Sequence, residues 1–347
     1  MTLTFQYDQT IVLDTGSLEY VLAVTFHPDG KHLLTGNDDG IRRWKLADGQ
    51  EVGKQTRVRV RAICVSRDQK WTVCGSYNGA SVWDGDVDEK IIDMEHGNAA
   101  WAVDVSPDSA SFATGTGGPG NEASMWSIKT GERVVGPLHH DNAVVGIKFS
   151  PSGKHIATAC MGGSICIFDS ENGDKLITIK TTTPTSDSFC ATTPLAWSSD
   201  GQHIFAAARD NKVRSFNVST GSQVAESQIL RDRNDDYDVY SIALAANGKF
   251  IATFADRSIS LLDVSTLARI CPVIQGGERI WSIAISTDNS CLATGQVYGK
   301  IILYRLNGIL PDSYGPFHVS VCSFVATLCH TSPILAAMST NCIGIRS

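Results

Sequence analysis

Ten cysteines stand at positions 64, 74, 160, 166, 190, 271, 291, 322, 329 and 342 with no CxxC pair and no compact framework spacing. Zinc ribbons and small disulfide scaffolds are thereby excluded, and reduced thiols in a reducing compartment are the economical reading. Several of them replace small apolar residues in strand-like runs, Cys64 in AICVS and Cys166 in SICIFD, where burial is expected. A concentrated basic face is also missing. The formal balance is −7, which offers phosphate backbones and anionic membranes no general attraction. The opening residues MTLTFQYDQTIVLD lack a basic region followed by an apolar run, so no secretory signal is read and an intracellular, cytoplasmic or nuclear, location is expected. The sequon at Asn217-Val218-Ser219 is then incidental. From Ser313 to Ile345 there is no Asp, Glu, Lys or Arg, yet His318, His330 and Pro333 interrupt the stretch. Its unbroken apolar runs fall short of the roughly 20 residues a membrane helix needs.

Catalytic signatures are absent as well: no GxxxxGK[ST], HExxH or GxSxG occurs. Gly115 to Gly120, GTGGPG, satisfies GxGxxG, but the strand-like ASMWSI follows it. The dinucleotide fingerprint requires a helix whose N-terminus meets the pyrophosphate. Neighbouring carboxylates such as Asp38-Asp39 and Asp235-Asp236 fall in loops, whereas acid–base work needs burial and opposition across a cleft. His139-His140-Asp141 has no matching ligand set elsewhere. No catalytic residue, cofactor or metal is read from the chain.

What is present is a repeat. The 347 residues, 42% of them apolar, suffice for a large core in one unit. WAVDVSPDSASFATGTG, Trp101 to Gly117, reads as a strand, a turn and a second strand. Six relatives of that outline follow from Val24, Ile63, Ile147, Leu195, Ile242 and Ile283. Their turn residues are Asp29, Asp68, Asp108, Ser152, Asp200, Asn247 and Asp288, separated by 39, 40, 44, 48, 47 and 41 residues. One four-stranded propeller blade occupies about 40 to 45. A third strand ends in a bulky residue each time, at Trp44, Trp83, Trp126, Phe168, Phe216, Leu262 and Tyr304.

With WD surviving at Trp83-Asp84 and FD at Phe168-Asp169, the array over residues 20 to 306 resembles the WD40-repeat family, most nearly WD40 proteins of fungal type. The resemblance implies an all-β, seven-bladed propeller spanning 1–306, with 307–347 as a charge-poor tail. The first strands alternate bulky and small, with Ala23, Ala62, Ala102, Gly146, Pro194, Ser241 and Ser282 small or compact. We read this as crowding about a central axis. Because each WD repeat is offset from its blade, Thr10 to Asp14 is expected to pair beside Ile301 to Leu306 and close the last blade.

Family members commonly link a His before the first strand to an Asp in the turn after the second. Here the His positions hold Ser17, Thr56, His96, His140, Ser188, Asp235 and Gly276, while Asp39, Asp210 and Asp256 take the turn. No His and Asp fall in one repeat, so apolar packing is expected to carry the ring. The resemblance also places the start of each innermost strand at the channel mouth, the face used most for peptides. That position holds Leu22, Arg61, Trp101, Val145, Thr193, Tyr240 and Trp281, three aromatics in seven for a chain with 8% aromatic residues. Either the rings plug the channel as core or they anchor a partner. Sorted charge surrounds them, in RVRVR from Arg57 and RDRNDDYDVY from Arg231. The expectation is a non-enzymatic platform for a protein or peptide partner, without nucleic acid or membrane; an enzyme using the channel and a nucleic-acid-binding propeller are the rivals.

Overall fold

A computed structural model describes residues 10–54, 56–95, 97–118, 120–161, 163–181, 195–208, 212–229 and 241–314. It forms seven four-stranded antiparallel sheets. From inner to outer strand, blade one is Ala23–Phe26, His32–Asn37, Gly40–Lys45 and Glu51–Val52; blade two is Val60–Val65, Trp71–Ser76, Gly79–Asp84 and Lys90–Glu95. Blade three runs Ala99–Val105, Ser111–Gly117, Glu122–Ser127 and Arg133–His139, and blade four Val144–Phe149, His155–Cys160, Ser164–Asp169 and Lys175–Lys180. Blade five has Leu195–Trp197, His203–Ala208, Lys212–Asn217 and Gln223–Gln228; blade six has Ile242–Leu244, Phe250–Ala255, Ser258–Asp263 and Ile274–Gln275. Blade seven takes Ile280–Ile285, Cys291–Gln296 and Lys300–Arg305 from one end of the chain and Thr10–Asp14 from the other. Thr10 pairs with Tyr304 and Asp14 with Lys300, the closure expected from the offset of the repeats.

The hairpin turns explain why the repeats read so clearly. In blade three the Ser106 hydroxyl donates to Asp108 at 2.5 Å, Asp108 accepts the Ala110 N–H at 3.0 Å, and Ser106 Oγ accepts the Ser111 N–H at 2.9 Å. Hydroxyl and N–H together hold the Asp108 carboxyl below its usual pKa. Ser66-Asp68, Ser198-Asp200 and Ser286-Asp288 repeat the arrangement. A short polar side chain that satisfies its own turn backbone fixes the hairpin without tertiary help.

The core lies between blades. Seven apolar clusters each bridge two neighbouring blades, including Leu13, Val24, Phe26 and Trp44 with Leu303 across the seam from blade seven to blade one. This corrects the reason for the alternation in the inner strands. Bulky Val103 and Val105 pack back onto blade two, while Ala102 packs forward with Ile147 and Phe149 of blade four. Small residues are therefore demanded by the next blade, not by the channel axis. Their partners on the second strand are small too: Ala23 faces Gly36, Ala62 faces Gly75, Ala102 faces Gly115 and Ser282 faces Gly295. In blade four the order is exchanged, Gly146 against Ala159.

The hydrogen-bonded links before the first strands also survive in altered form. Ser17 stands at a His position, and its hydroxyl donates to Asp39 of the same repeat. Thr56 Oγ1 accepts the Ile41 N–H at 2.8 Å. In blade seven the fully buried Gln296 takes over: its amide nitrogen donates to the Gly276 carbonyl and its oxygen accepts the Glu278 N–H at 3.2 Å. Packing is thus not the sole support of the ring. His96, Ser188, Asp210 and Asp235 lie outside the described residues.

His140 keeps the imidazole. Its Nδ1 donates to the Leu138 carbonyl and its Nε2 meets the Thr158 hydroxyl, both at 2.8 Å, with the ring edge-on to Phe168 at 5.4 Å. Burial lowers its pKa to about 4. The unfolded ring takes up a proton near pH 6.5, which the folded ring refuses until about 4, so stability falls as pH drops through that window. At pH 5 the loss should be about 2 kcal/mol relative to pH 7. Urea midpoints at the two pH values should converge in His140→Gln; an undiminished gap would assign the acid sensitivity elsewhere.

Candidate functional site

Four of the seven expected mouth residues share one backbone device. The pairing of the first two strands slips between Val60 and Ala62, Ala100 and Ala102, Val144 and Gly146, and Ile280 and Ser282. Arg61, Trp101, Val145 and Trp281 are the extra residues of these bulges. A bulge leaves its residue out of the ladder and re-aims the side chain, so the same position in blades two, three, four and seven points away from the sheet at one end of the channel. Leu22 precedes the first strand of blade one, where its N–H donates to Gly36 at 3.0 Å. Thr193 and Tyr240 lie outside the described residues.

The surroundings of the four differ. Val145 and Leu22 are buried and contribute shape only. Trp101 is half-buried over Gly117, where an added Cβ would sit 3.2 Å from Cε2 and Cζ2 of the indole. Trp281 is half-buried between Tyr20, stacked at 4.8 Å with 9° between the planes, and the Arg279 guanidinium at 4.9 Å. Tyr20 itself is 45% exposed. Arg61 lies with its guanidinium 4.0 Å from the centre of the Tyr77 ring. Tyr20, Tyr77 and Arg279 were not read from the sequence. They fall in turns or flanking segments outside the repeated outline, and only proximity across the fold joins them to the mouth.

Beneath this rim runs a cavity of about 550 Å³ along the inner strands. Leu22 and Arg61 line it, together with Cys64, Asp104, Lys148 and Ala243. The two tryptophans do not line it. Asp104 and Lys148 occupy the same strand position in adjacent blades, and Lys148 Nζ donates to Asp104 at 2.6 Å. The other Asp104 oxygen accepts the Phe149 N–H at 2.8 Å. Burial works against the Lys148 ammonium, but the Asp104 carboxylate outweighs it and raises the pKa. Burial, aided by Asp104, pushes the half-buried Cys64 thiol up to about 11, so the group is uncharged and a poor nucleophile at neutral pH. A search of the repeats at one blade period would have found this pair, since 44 residues separate its members. Both oxygens of the channel carboxylate accept hydrogen bonds from protein N–H donors, one from Lys148 and one from Phe149. Among the described residues no three His, Cys, Asp or Glu side chains converge in a way that could hold a metal.

The family model of the WD domain, G-beta repeat, matches residues 7–45, 133–169 and 190–217. Among curated proteins the chain is similar to eukaryotic translation initiation factor 3 subunit I from several fungi. It is 28% identical to that of Scheffersomyces stipitis over 275 residues, covering 70% of this chain and 77% of the relative. The Candida albicans protein is 24% identical with the same coverage. The Aspergillus terreus protein is 30% identical over 246 residues, covering 68% of this chain and 66% of the relative.

Proposed function

Since the chain belongs to the WD40-repeat family, we propose that it is a non-catalytic interaction subunit whose protein partner docks across the channel mouth. The observation that carries this reading is the repeated bulge. Four blades spend an unpaired residue at the same end, and three of those residues, Arg61, Trp101 and Trp281, are half-exposed. Tryptophan and arginine are the side chains that most often dominate protein interfaces. Leu22, Val145, Thr193 and Tyr240 complete the proposed rim.

The relatives are designated subunits of an initiation factor, which supports a place in a multi-subunit assembly of cytoplasmic translation and supports a scaffold over an enzyme. Affinity capture from the native cell is the test. Trp101→Ala and Trp281→Ala should each reduce recovery of the partner about tenfold or more while circular dichroism stays native, as expected for rim anchors. Loss of folding would instead make the rings core, and full recovery would move the docking site off the rim.

A further inference from the structure

Arg57, Arg59 and Arg61 alternate along the segment that enters blade two, and burial alternates with them. Arg57 and Arg59 are exposed and Arg61 is half-buried, while Val58 and Val60 turn into the cluster shared with blade one. In extended chain alternate side chains such as those of Arg57 and Arg59 share one face and recur about every 6.8 Å, and the bulge residue Arg61 joins Arg59 there over the ring of Tyr77. Tyr77 gathers two of them: the Arg61 guanidinium lies 4.0 Å from its ring centre and that of Arg59 5.8 Å. Two cations over one ring repel each other, and the ring offsets this only in part. Nearby Arg42 and Arg43 are each paired, with Glu51 and Asp86. Arg57, Arg59 and Arg61, by contrast, have no carboxylate within ion-pair distance among the described residues, and the buried Nε of Arg61 has no acceptor. In a chain of net charge −7 this is a row of cations without anions.

We propose that the row Arg57–Arg59–Arg61 receives an acidic segment of a partner protein, bound in extended form with carboxylates at alternate positions. The spacing matches strand to strand, so each guanidinium meets one carboxylate. Arg61, seated on Tyr77 at the lip of the cavity, fixes the inner end. The row is one segment of three cations in a chain of net charge −7, which suits a short acidic peptide better than a long polyanion such as RNA. The proposal rests on the docking reading above only in placing the partner on this face.

Fluorescence anisotropy with labelled synthetic probes tests it on the full chain. A short peptide of alternating Glu and Ser should bind about tenfold or more tightly than its Gln counterpart, and the preference should shrink with added salt. The double substitution Arg57→Gln/Arg59→Gln, at exposed positions, should weaken it about tenfold. Charge reversal with Arg57→Glu/Arg59→Glu should transfer the preference to an alternating Lys peptide. Equal binding of the Glu and Gln peptides, indifference to both double substitutions, or tighter binding of a uridine oligonucleotide would overturn the proposal. Trp101→Ala should leave the Glu peptide bound, so a failure of the wider rim and a failure of the arginine row give different results.

Discussion

Deletion of residues 1–16 should lower the melting temperature by roughly 10 °C or more. The deleted strand Thr10–Asp14 is paired along its whole length with Lys300–Tyr304. Its side chains alternate: Leu13 is 4% exposed in the cluster joining blades seven and one, whereas Val12 is 60% exposed. Leu13 also reaches Gly49 of blade one, where an added Cβ would lie 2.8 Å from its Cδ2. Lost ladder bonds at about 1 kcal/mol each, with about 2 kcal/mol for the buried leucine, come to on the order of 5 kcal/mol. A domain of this size shifts by about 2–4 °C per kcal/mol. The deletion also leaves Lys300–Arg305 as a bare edge open to pairing with other chains. Leu13→Ser should reproduce much of the effect, while Val12→Ser should melt close to wild type. Scanning calorimetry at several protein concentrations reads both the loss and any association. An unchanged melting curve for the deletion would mean that the seam holds without its outer strand.

The architecture was legible because its signals are local. A Ser-x-Asp turn satisfies its own backbone, so it can recur in sequence where a hairpin recurs in space; four of the seven hairpin turns have that form, and Asp29, Ser152 and Asn247 hold the same position in the other three. The closing strand could be read because Thr10–Asp14 alternates and stands at the right distance before the first repeat. The chemistry between blades was less legible. Small residues such as Ala102 were visible, but the crowding that selects them comes from Val144 and Ile147 of the next blade, which periodicity along one strand does not reveal. Ser17 replaces a histidine with a hydroxyl that still reaches Asp39, so a reading keyed to residue type missed a link that geometry retained. Arg61, Trp101, Val145 and Trp281 were singled out by their offset from the turn, yet nothing in that offset announces the bulge that each of them occupies. Tyr77 and Tyr20, which seat Arg61 and Trp281, are brought in by turns of unrelated sequence.

Gly75→Ala should destabilise the protein by about 2 kcal/mol or more, although alanine is the better strand residue by intrinsic preference. Gly75 sits opposite Ala62 in the second strand of blade two and is not in the left-handed region that itself demands glycine. The obstacle lies in blade three. A Cβ there would stand 2.5 Å from the Ala100 carbonyl oxygen and 3.1 Å from Val103 Cγ1. A backbone carbonyl cannot rotate aside as a side chain can, and Ala100 directly precedes the bulge that presents Trp101. Relief therefore requires blade three to shift outward, which strains both of its interfaces in a ring that has no free edge. Gly30→Ala is the control: its Cβ would meet nothing within 4 Å, but φ is +67°, so its cost of about 1 kcal/mol is conformational and confined to one turn. The two substitutions should also separate by function. Displacing the Trp101 bulge should weaken partner capture by Gly75→Ala at temperatures where the protein is still folded, while Gly30→Ala should capture normally. If Gly75→Ala melts with or above the wild type, the blades are not packed to contact at this layer, and the small residues of the inner strands need another explanation.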